Sequence, residues 1–179
     1  MHAGIAVTKR TLDLATSTGA TRHVANDDAG ITALVADLDS HAPTLVILDA
    51  TAAHQAPLVA ALIVAKIPTA VLDPRPIRDF AKTDTLTATI LARFAETTRP
   101  EPRAPTDELT DLLQALLTRR RELAEMIAAE EIHIQRFTKS MRPRIKASLN
   151  FLMHNLADMN RELDAAVRAS PVWRDGSAS

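Results

Sequence analysis

The order of hydrophobic and polar residues changes character a little past the middle of the chain. Up to residue 98, short apolar runs alternate with segments whose apolar residues recur every three or four positions. Such alternation predicts strands interleaved with helices, and therefore a layered α/β architecture. After residue 105 only the helical spacing remains. We therefore expect an α/β half followed by a helical half.

The α/β half is predicted to begin with a three-strand meander and to continue with βαβ units. Asn26, Asp27 and Asp28 offer N-cap side chains for the first helix. The run from Thr44 to Leu48 is continuously apolar, as in a strand buried on both faces. The predicted strands cover residues 5–7, 12–15, 22–25, 44–48 and 69–72, and further helices are predicted around residues 58–66 and 86–94.

Three prolines in residues 99–105 mark a linker, because proline cannot continue a helix. Beyond it the spacing predicts a helix over residues 106–139 and a second one ending near residue 169, joined as an antiparallel hairpin. Apolar residues of the second helix repeat at alternating steps of four and three, a heptad seam. The seam favours pairing with another copy of the chain, and the alternative is a hairpin folded back on the α/β half. Its residues are Ile145, Leu149, Leu152, Leu156, Met159, Leu163 and Ala166.

These patterns divide the chain into four parts: an α/β domain at 1–98, a linker at 99–105, a helical hairpin at 106–170 and a disordered tail at 171–179. The chain has 179 residues, 46% of them hydrophobic, and a formal net charge of −1, so any attraction to polyanions must be local. It has no cysteine, no signal-like N-terminus and no run of about 20 apolar residues. We expect a cytoplasmic protein that does not contact membranes.

Two acidic residues are the strongest candidates for chemistry in the α/β half. Asp49 ends the most buried predicted strand, where α/β proteins place functional groups, and Asp84 precedes a predicted helix. Together they could bind Mg²⁺, which prefers oxygen ligands. The simpler interpretations are a turn made by Asp49 with its own backbone and an ordinary helix N-cap at Asp84.

A run of cations lies where the two long helices are predicted to join. It contains no acid between residues 132 and 157, and Arg119, Arg120 and Arg121 add charge upstream, partly offset by Glu122 and Glu125. Such a run could neutralise several phosphates, which predicts nucleic-acid binding with strong salt dependence. The alternative is a solvated helix surface. The candidate nucleic-acid-binding residues are Arg136, Lys139, Arg142, Arg144 and Lys146.

Other common site types find no support in the sequence. The four glycines do not cluster into a phosphate-binding loop, and the six histidines show no metal-ligand spacing. These features argue against kinases, nucleotide hydrolases and dinucleotide-dependent dehydrogenases.

An ordered series of short motifs resembles the Piv-type DEDD transposases, the insertion-sequence 110 group. It begins with Gly4-Ile5-Ala6-Val7-Thr8-Lys9 and Asn26-Asp27-Asp28-Ala29-Gly30-Ile31, and it continues through Leu45-Val46-Ile47-Leu48-Asp49 and Lys82-Thr83-Asp84. The end, Ser170-Pro171-Val172-Trp173-Arg174, is similar to the end of that family's coiled-coil segment. The series covers nearly the whole chain, and its order is more specific than any single motif.

The resemblance implies a RuvC-like (RNase H-type) mixed sheet with flanking helices, followed by the long helical hairpin as a dimerising coiled coil. It implies DNA transposition with Mg²⁺ and a structured guide RNA. Of the family's four acidic positions, two correspond to Asp49 and Asp84, whereas Ala6 and Thr87 occupy the other two. A segment that the family has before Lys-Thr-Asp is missing, so Asp84 is expected to be displaced. The family's serine-nucleophile domain is not matched either.

We therefore expect the N-terminal part of a transposase whose catalytic site is a remnant. At best Asp49 and Asp84 would hold one Mg²⁺ weakly, because a two-metal centre needs three or four carboxylates around ions ~3.5–4 Å apart. The alternative is a non-catalytic remnant or adaptor that dimerises and binds DNA or guide RNA. A third hypothesis is a helical adaptor that dimerises without nucleic-acid affinity.

Overall fold

A computed structural model describes residues 1–52 and 54–174 of the chain. The strands are β1 (His2–Val7), β2 (Thr11–Thr16), β3 (Thr21–Ala25), β4 (Leu45–Asp49), β5 (Thr69–Leu72) and β6 (Trp173–Arg174). The helices are α1 (Asp28–His41), α2 (Ala56–Val64), α3 (Pro74–Ala81), α4 (Ala88–Thr98), α5 (Asp107–Arg136) and α6 (Arg142–Arg168).

The strands form one mixed sheet in the order β3-β2-β1-β4-β5-β6. β1, β2 and β3 pair antiparallel as a meander, whereas β1, β4, β5 and β6 run parallel. Helices cover both faces of this sheet, which confirms the predicted RuvC-like α/β class followed by a long helical hairpin. No helix in the described part of the chain is long and apolar enough to cross a membrane.

β4 shows why the sheet needs helices on both faces. Leu45 and Ile47 pack with α4 residues in one apolar cluster, and Val46 and Leu48 pack with α2 residues in another. All four side chains are buried. Because side chains alternate between the faces of a strand, a continuous apolar run is what a doubly covered strand requires.

Two helix starts follow from local sequence. The Asp27 side chain accepts a hydrogen bond of 2.7 Å from the Gly30 amide and caps α1, which confirms the predicted N-cap group. Asp73 accepts from the Arg75 amide at 2.9 Å, and Pro74 occupies the first position of α3. α3 was not predicted from periodicity, although an Asp-Pro pair is itself a helix-start signal.

The helical hairpin is packed on the domain at one end only. Leu113 and Leu116 of α5, with Leu163 and Val167 of α6, are buried in the core cluster that includes α2. The predicted alternative, a hairpin folded back on the α/β half, therefore describes this base. Further out, the heptad seam of α6 is only half-buried. Large apolar side chains are exposed there: Met126, Ile132, Phe137, Met141, Phe151 and Met153.

The chain returns to the sheet after the hairpin, which corrects part of the predicted tail. Val71 donates its amide to the carbonyl of Val172, and Asp73 donates to the carbonyl of Arg174, both at 2.8 Å. Val172 is buried, so residues 171–174 are an ordered extension of the sheet rather than a disordered tail. The short strand escaped prediction because two residues carry no periodicity. The rest of the predicted tail, residues 175–179, lies outside the described residues.

Candidate functional site

Ala6 and Asp49 lie near the carboxyl ends of β1 and β4, two neighbouring parallel strands. Gly4, two residues before Ala6, pairs with Ile47, two residues before Asp49. The two positions that the resemblance assigned to acids therefore lie at the same edge of the sheet, and one of them carries a methyl group.

α4 begins over this same corner of the sheet. A Cβ atom added to Gly4 would lie 2.4 Å from the Ala88 carbonyl oxygen and 2.5 Å from the Ala92 amide nitrogen. Only glycine permits so close an approach of helix to strand. Ala6 packs against a small cluster of buried alanines that includes Ala88. The start of α4 is therefore held close to the ends of β1 and β4.

Asp49 uses one carboxylate oxygen to hold its own loop. The Thr51 amide donates to Asp49 Oδ1 at 3.0 Å, and the Thr51 hydroxyl donates to the same oxygen. This arrangement is the Asx-type turn that the simpler interpretation of Asp49 predicted. In addition, Gln55 Nε2 donates to the Asp49 carbonyl at 3.1 Å. The carboxylate thus has a structural task as well as any chemical one.

The helix cap near the acidic motif is Thr87, and the prediction that Asp84 is an ordinary N-cap is wrong. Thr87 Oγ1 accepts from the Ile90 amide at 3.3 Å. Asp84 is exposed and lies in the segment between α3 and α4, four residues before the first residue of α4. The spacing decides the outcome, because a cap must reach the amides two or three residues into the first turn. Thr87 has that spacing and Asp84 does not.

The predicted basic residues all lie on the distal end of the hairpin, which we call the tip, residues 136–146. Each of the five side chains is exposed. Within residues 1–52 and 54–174, none of the five forms an ion pair. Arg142, Arg144 and Lys146 also occupy the first turns of α6, where the helix dipole adds positive potential. The tip therefore concentrates positive charge that the described protein does not compensate.

The upstream arginines behave differently from the tip. Arg119 pairs with Glu122 at 2.9 Å. Arg120 donates from Nε to Asn160 at 2.9 Å and pairs with Asp28, so it ties α5 to α6 and to α1. These residues were predicted to extend the basic run. Two of the three instead make contacts within the protein, which a sequence of three consecutive arginines could not reveal.

A family model matches more than half of the chain. The family model described as transposase, for the DEDD enzymes of the insertion-sequence 110 group, matches residues 6–143. The chain belongs to this DEDD transposase family. A search of curated proteins finds no match. The match begins at Ala6 and spans Asp49, Asp84 and Thr87.

The DEDD family implies a divalent metal, but the residues at this corner do not fit a two-metal centre. Ala6 has no ligand atom. Thr87 contributes a neutral hydroxyl, whose oxygen already accepts a hydrogen bond from the Ile90 amide. Asp49 keeps one oxygen occupied by Thr51. Among the described residues, no group of three or more acidic or histidine side chains could hold a metal ion. Two-metal catalysis bridges its ions with several carboxylates, and this corner offers Asp49 and Asp84 at most.

Proposed function

We propose that this DEDD transposase-family chain binds nucleic acid through the hairpin tip and does not cleave strands by the family's two-metal chemistry. The observation that carries the proposal is the contrast between the side chains at the corner and those at the tip. Ala6, near the end of β1, carries a methyl group where the resemblance places an acid, while five cations at the tip have no described acidic partner. The role is therefore that of a binding module derived from a recombinase.

The nucleic acid is recognised mainly by its phosphates. Arg136 ends α5, and Lys139 lies in the turn that follows it. Arg142 and Arg144 lie in the first turn of α6, so the charges lie on both sides of one bend. Exposed cations act by releasing counterions from the phosphate backbone, which carries little sequence information. The same surface suits duplex DNA and structured RNA. The family resemblance favours both, a target DNA and a guide RNA.

The hairpin also supports self-association as part of this function. Phe151 is 68% exposed and Met153 is 53% exposed on α6, and Ile132 is 50% exposed on α5. Phe151 and Met153 stand two positions apart and so lie on different sides of α6, and exposed apolar side chains of this size favour contact with a partner. A second copy that covered them would bring two tips together, and two linked sites bind a long polyanion more tightly than one.

Binding is tested by fluorescence anisotropy of a labelled duplex and of a structured RNA at several salt concentrations. Charge reversal of Arg142 and Arg144 should weaken affinity and lower the slope of log K against log salt by about 2, because about 0.9 ions are released per phosphate contact. Reversal of Arg119 and Arg161, exposed arginines away from the tip that pair with Glu122 and Asp158, is the matched control. Equal losses in both variants would remove the tip from the proposal.

The catalytic half of the proposal is tested with Mg²⁺ and a labelled duplex. The wild-type chain should leave the strands intact over a range of Mg²⁺ concentrations. Cleavage that disappears in Asp84→Ala would show that the remaining acids still work, and would overturn this half.

Sedimentation velocity tests self-association: the wild type should shift toward dimer with concentration, and Phe151→Asp should oppose the shift.

A further inference from the structure

The edge strand β6 brings Arg174 into the same row of the sheet as Asp49. Asp49 pairs with Leu72, and Leu72 pairs with Arg174. Partners in parallel register share a face, so Arg174 is directed to the face that carries Asp49. Two strand spacings separate them, about 10 Å between Cα atoms. A cation thus stands near the family's acidic corner, on a strand formed only after the hairpin.

A cavity of about 550 Å³ opens beside Arg174. Its walls are the linker at residues 99–105, the end of α6, β6 and parts of α3 and α4. Three arginines line it, Arg103, Arg168 and Arg174, and the acid that lines it is Asp73. We call this cavity the arginine pocket. Guanidinium groups outnumber carboxylates in its lining.

The charges of the arginine pocket are poorly balanced by the described protein. Arg75 binds the Asp73 carboxylate through its side chain and its amide, so Asp73 is already engaged. Arg168 pairs with Asp164 at 2.8 Å and lies 4.6 Å over the Trp173 ring. No described carboxylate lies within ion-pair distance of Arg103 or Arg174.

Arg174 itself shows the imbalance most clearly. Its guanidinium donates to the carbonyl of Glu101, while its Nε is buried without a hydrogen-bond partner among the described residues. Burial lowers the pKa of Arg174, and repulsion from Arg103 lowers it further than Glu101 restores it. A buried donor without a partner costs free energy that an anion would recover. The guanidinium fork suits a phosphate oxygen pair in particular.

We propose that the arginine pocket binds a phosphate group through Arg174 and Arg103. The phosphate group belongs either to a nucleic-acid strand or to a small phosphate compound. Binding of a nucleic-acid strand rests on the proposed function, whereas the phosphate site itself does not. In the first case the pocket holds the backbone beside the acidic corner, while the tip contacts a distant part of the same molecule. The pocket then contributes to placing the strand.

Thermal unfolding of the full chain in sodium pyrophosphate, against sodium chloride of matched ionic strength, tests the site. Wild type should be stabilised specifically by pyrophosphate. Arg103→Gln should bind it about tenfold more weakly, the effect of losing one charge-assisted hydrogen bond. Arg103 is exposed, so its variant should fold even if Arg174→Gln does not. Arg22→Gln, with the same charge change at the opposite sheet edge, is the matched control.

The hairpin-tip variant separates this proposal from the proposed function. Reversal of Arg142 and Arg144 should leave the pyrophosphate effect intact; its loss would place the anion at the tip and overturn the pocket. No specific stabilisation of the wild type, or an equal loss in Arg22→Gln, would also overturn it. If pyrophosphate competes with a labelled oligonucleotide for the wild type, and Arg103→Gln abolishes that competition, the natural ligand is a phosphate of a nucleic-acid strand. Specific stabilisation without competition identifies a small phosphate compound.

Discussion

The corner formed by β1, β4 and α4 and the hairpin tip differ in how their side chains are used. At the corner, Gly4 lets α4 lie against β1 and Asp49 holds its turn, so the backbone arrangement persists although Ala6 and Thr87 supply no acid. At the tip, packing is sparse and charge is abundant. At the corner, Gly4 and Asp49 serve packing and a turn, whereas at the tip the exposed cations make no ion pair among the described residues.

Gly4→Ala should give the largest effect and mark the corner as a packing site. The new Cβ would overlap the backbone of α4, which cannot shift without disturbing the sheet. We expect a loss of about 3 kcal/mol in the free energy of unfolding, at the upper end for overpacking. Chemical denaturation measures it. Met141→Ala at the tip should change stability by less than about 0.5 kcal/mol, as for an ordinary surface site; similar losses for both would erase the contrast.

Restoring acids at the corner should create metal binding if the geometry has been preserved. The double variant Ala6→Asp, Thr87→Asp should be less stable than wild type without metal, because it adds negative charge beside Asp49. Mg²⁺ at ten times its dissociation constant should then return about 1.4 kcal/mol. Thermal unfolding with Mg²⁺, against Na⁺ of equal ionic strength, measures the recovery. Equal unfolding temperatures in both salts would show that the corner no longer has the metal-binding arrangement.

A smaller effect should separate Thr87 from Asp84. Thr87→Ala removes the N-cap acceptor of α4 and should cost about 1 kcal/mol. Asp84→Ala, in an exposed segment, should stay within about 0.5 kcal/mol. Denaturant midpoints of the two variants provide the comparison. A larger loss at Asp84 than at Thr87 would mean that the acid supports the fold.

The smallest effect concerns pH and Asp73. The side-chain hydrogen bond from Arg75 lowers the pKa of Asp73 below its ordinary value of 3.8. A lowered folded-state pKa stabilises the fold above the unfolded value, and this contribution is lost as pH falls through the folded pKa. Asp73→Asn should therefore flatten the loss of stability below pH 3.8, and Arg75→Gln should act similarly. Melting curves between pH 2 and 5 measure this change. If the slope of stability against pH is the same in the variants as in the wild type, the Asp73–Arg75 pair contributes nothing.

The α/β half was largely predictable from sequence because its signals are local. The buried run of β4 and the cap at Asp27 each predict one element and need no partner to be recognised. The helical spacing after the prolines likewise predicted both long helices. The family match then confirmed the resemblance.

The remaining features depend on which distant residues meet. The two-residue strand β6 forms because β5 offers it a free edge, and the Arg120 contact with Asp28 spans 92 positions. Neither has a local signature. Asp84 shows the opposite case. Its motif belongs to the series that predicted the family, whereas the prediction that Asp84 caps a helix was wrong, because Thr87 lies nearer the first turn of α4. Whether Asp49 and Asp84 bind Mg²⁺ remains a prediction.

Nucleic-acid affinity of two double variants, measured side by side at graded salt, tests the contrast between corner and tip most directly. Asp49→Ala with Asp84→Ala removes the surviving acids, and Arg142→Glu with Arg144→Glu reverses charge at the tip. We expect the first pair to leave affinity unchanged or slightly raised, because two negative charges are removed. The second pair should lower affinity and salt slope together. Unchanged binding in the tip variant, with binding lost in the acid variant, would contradict it.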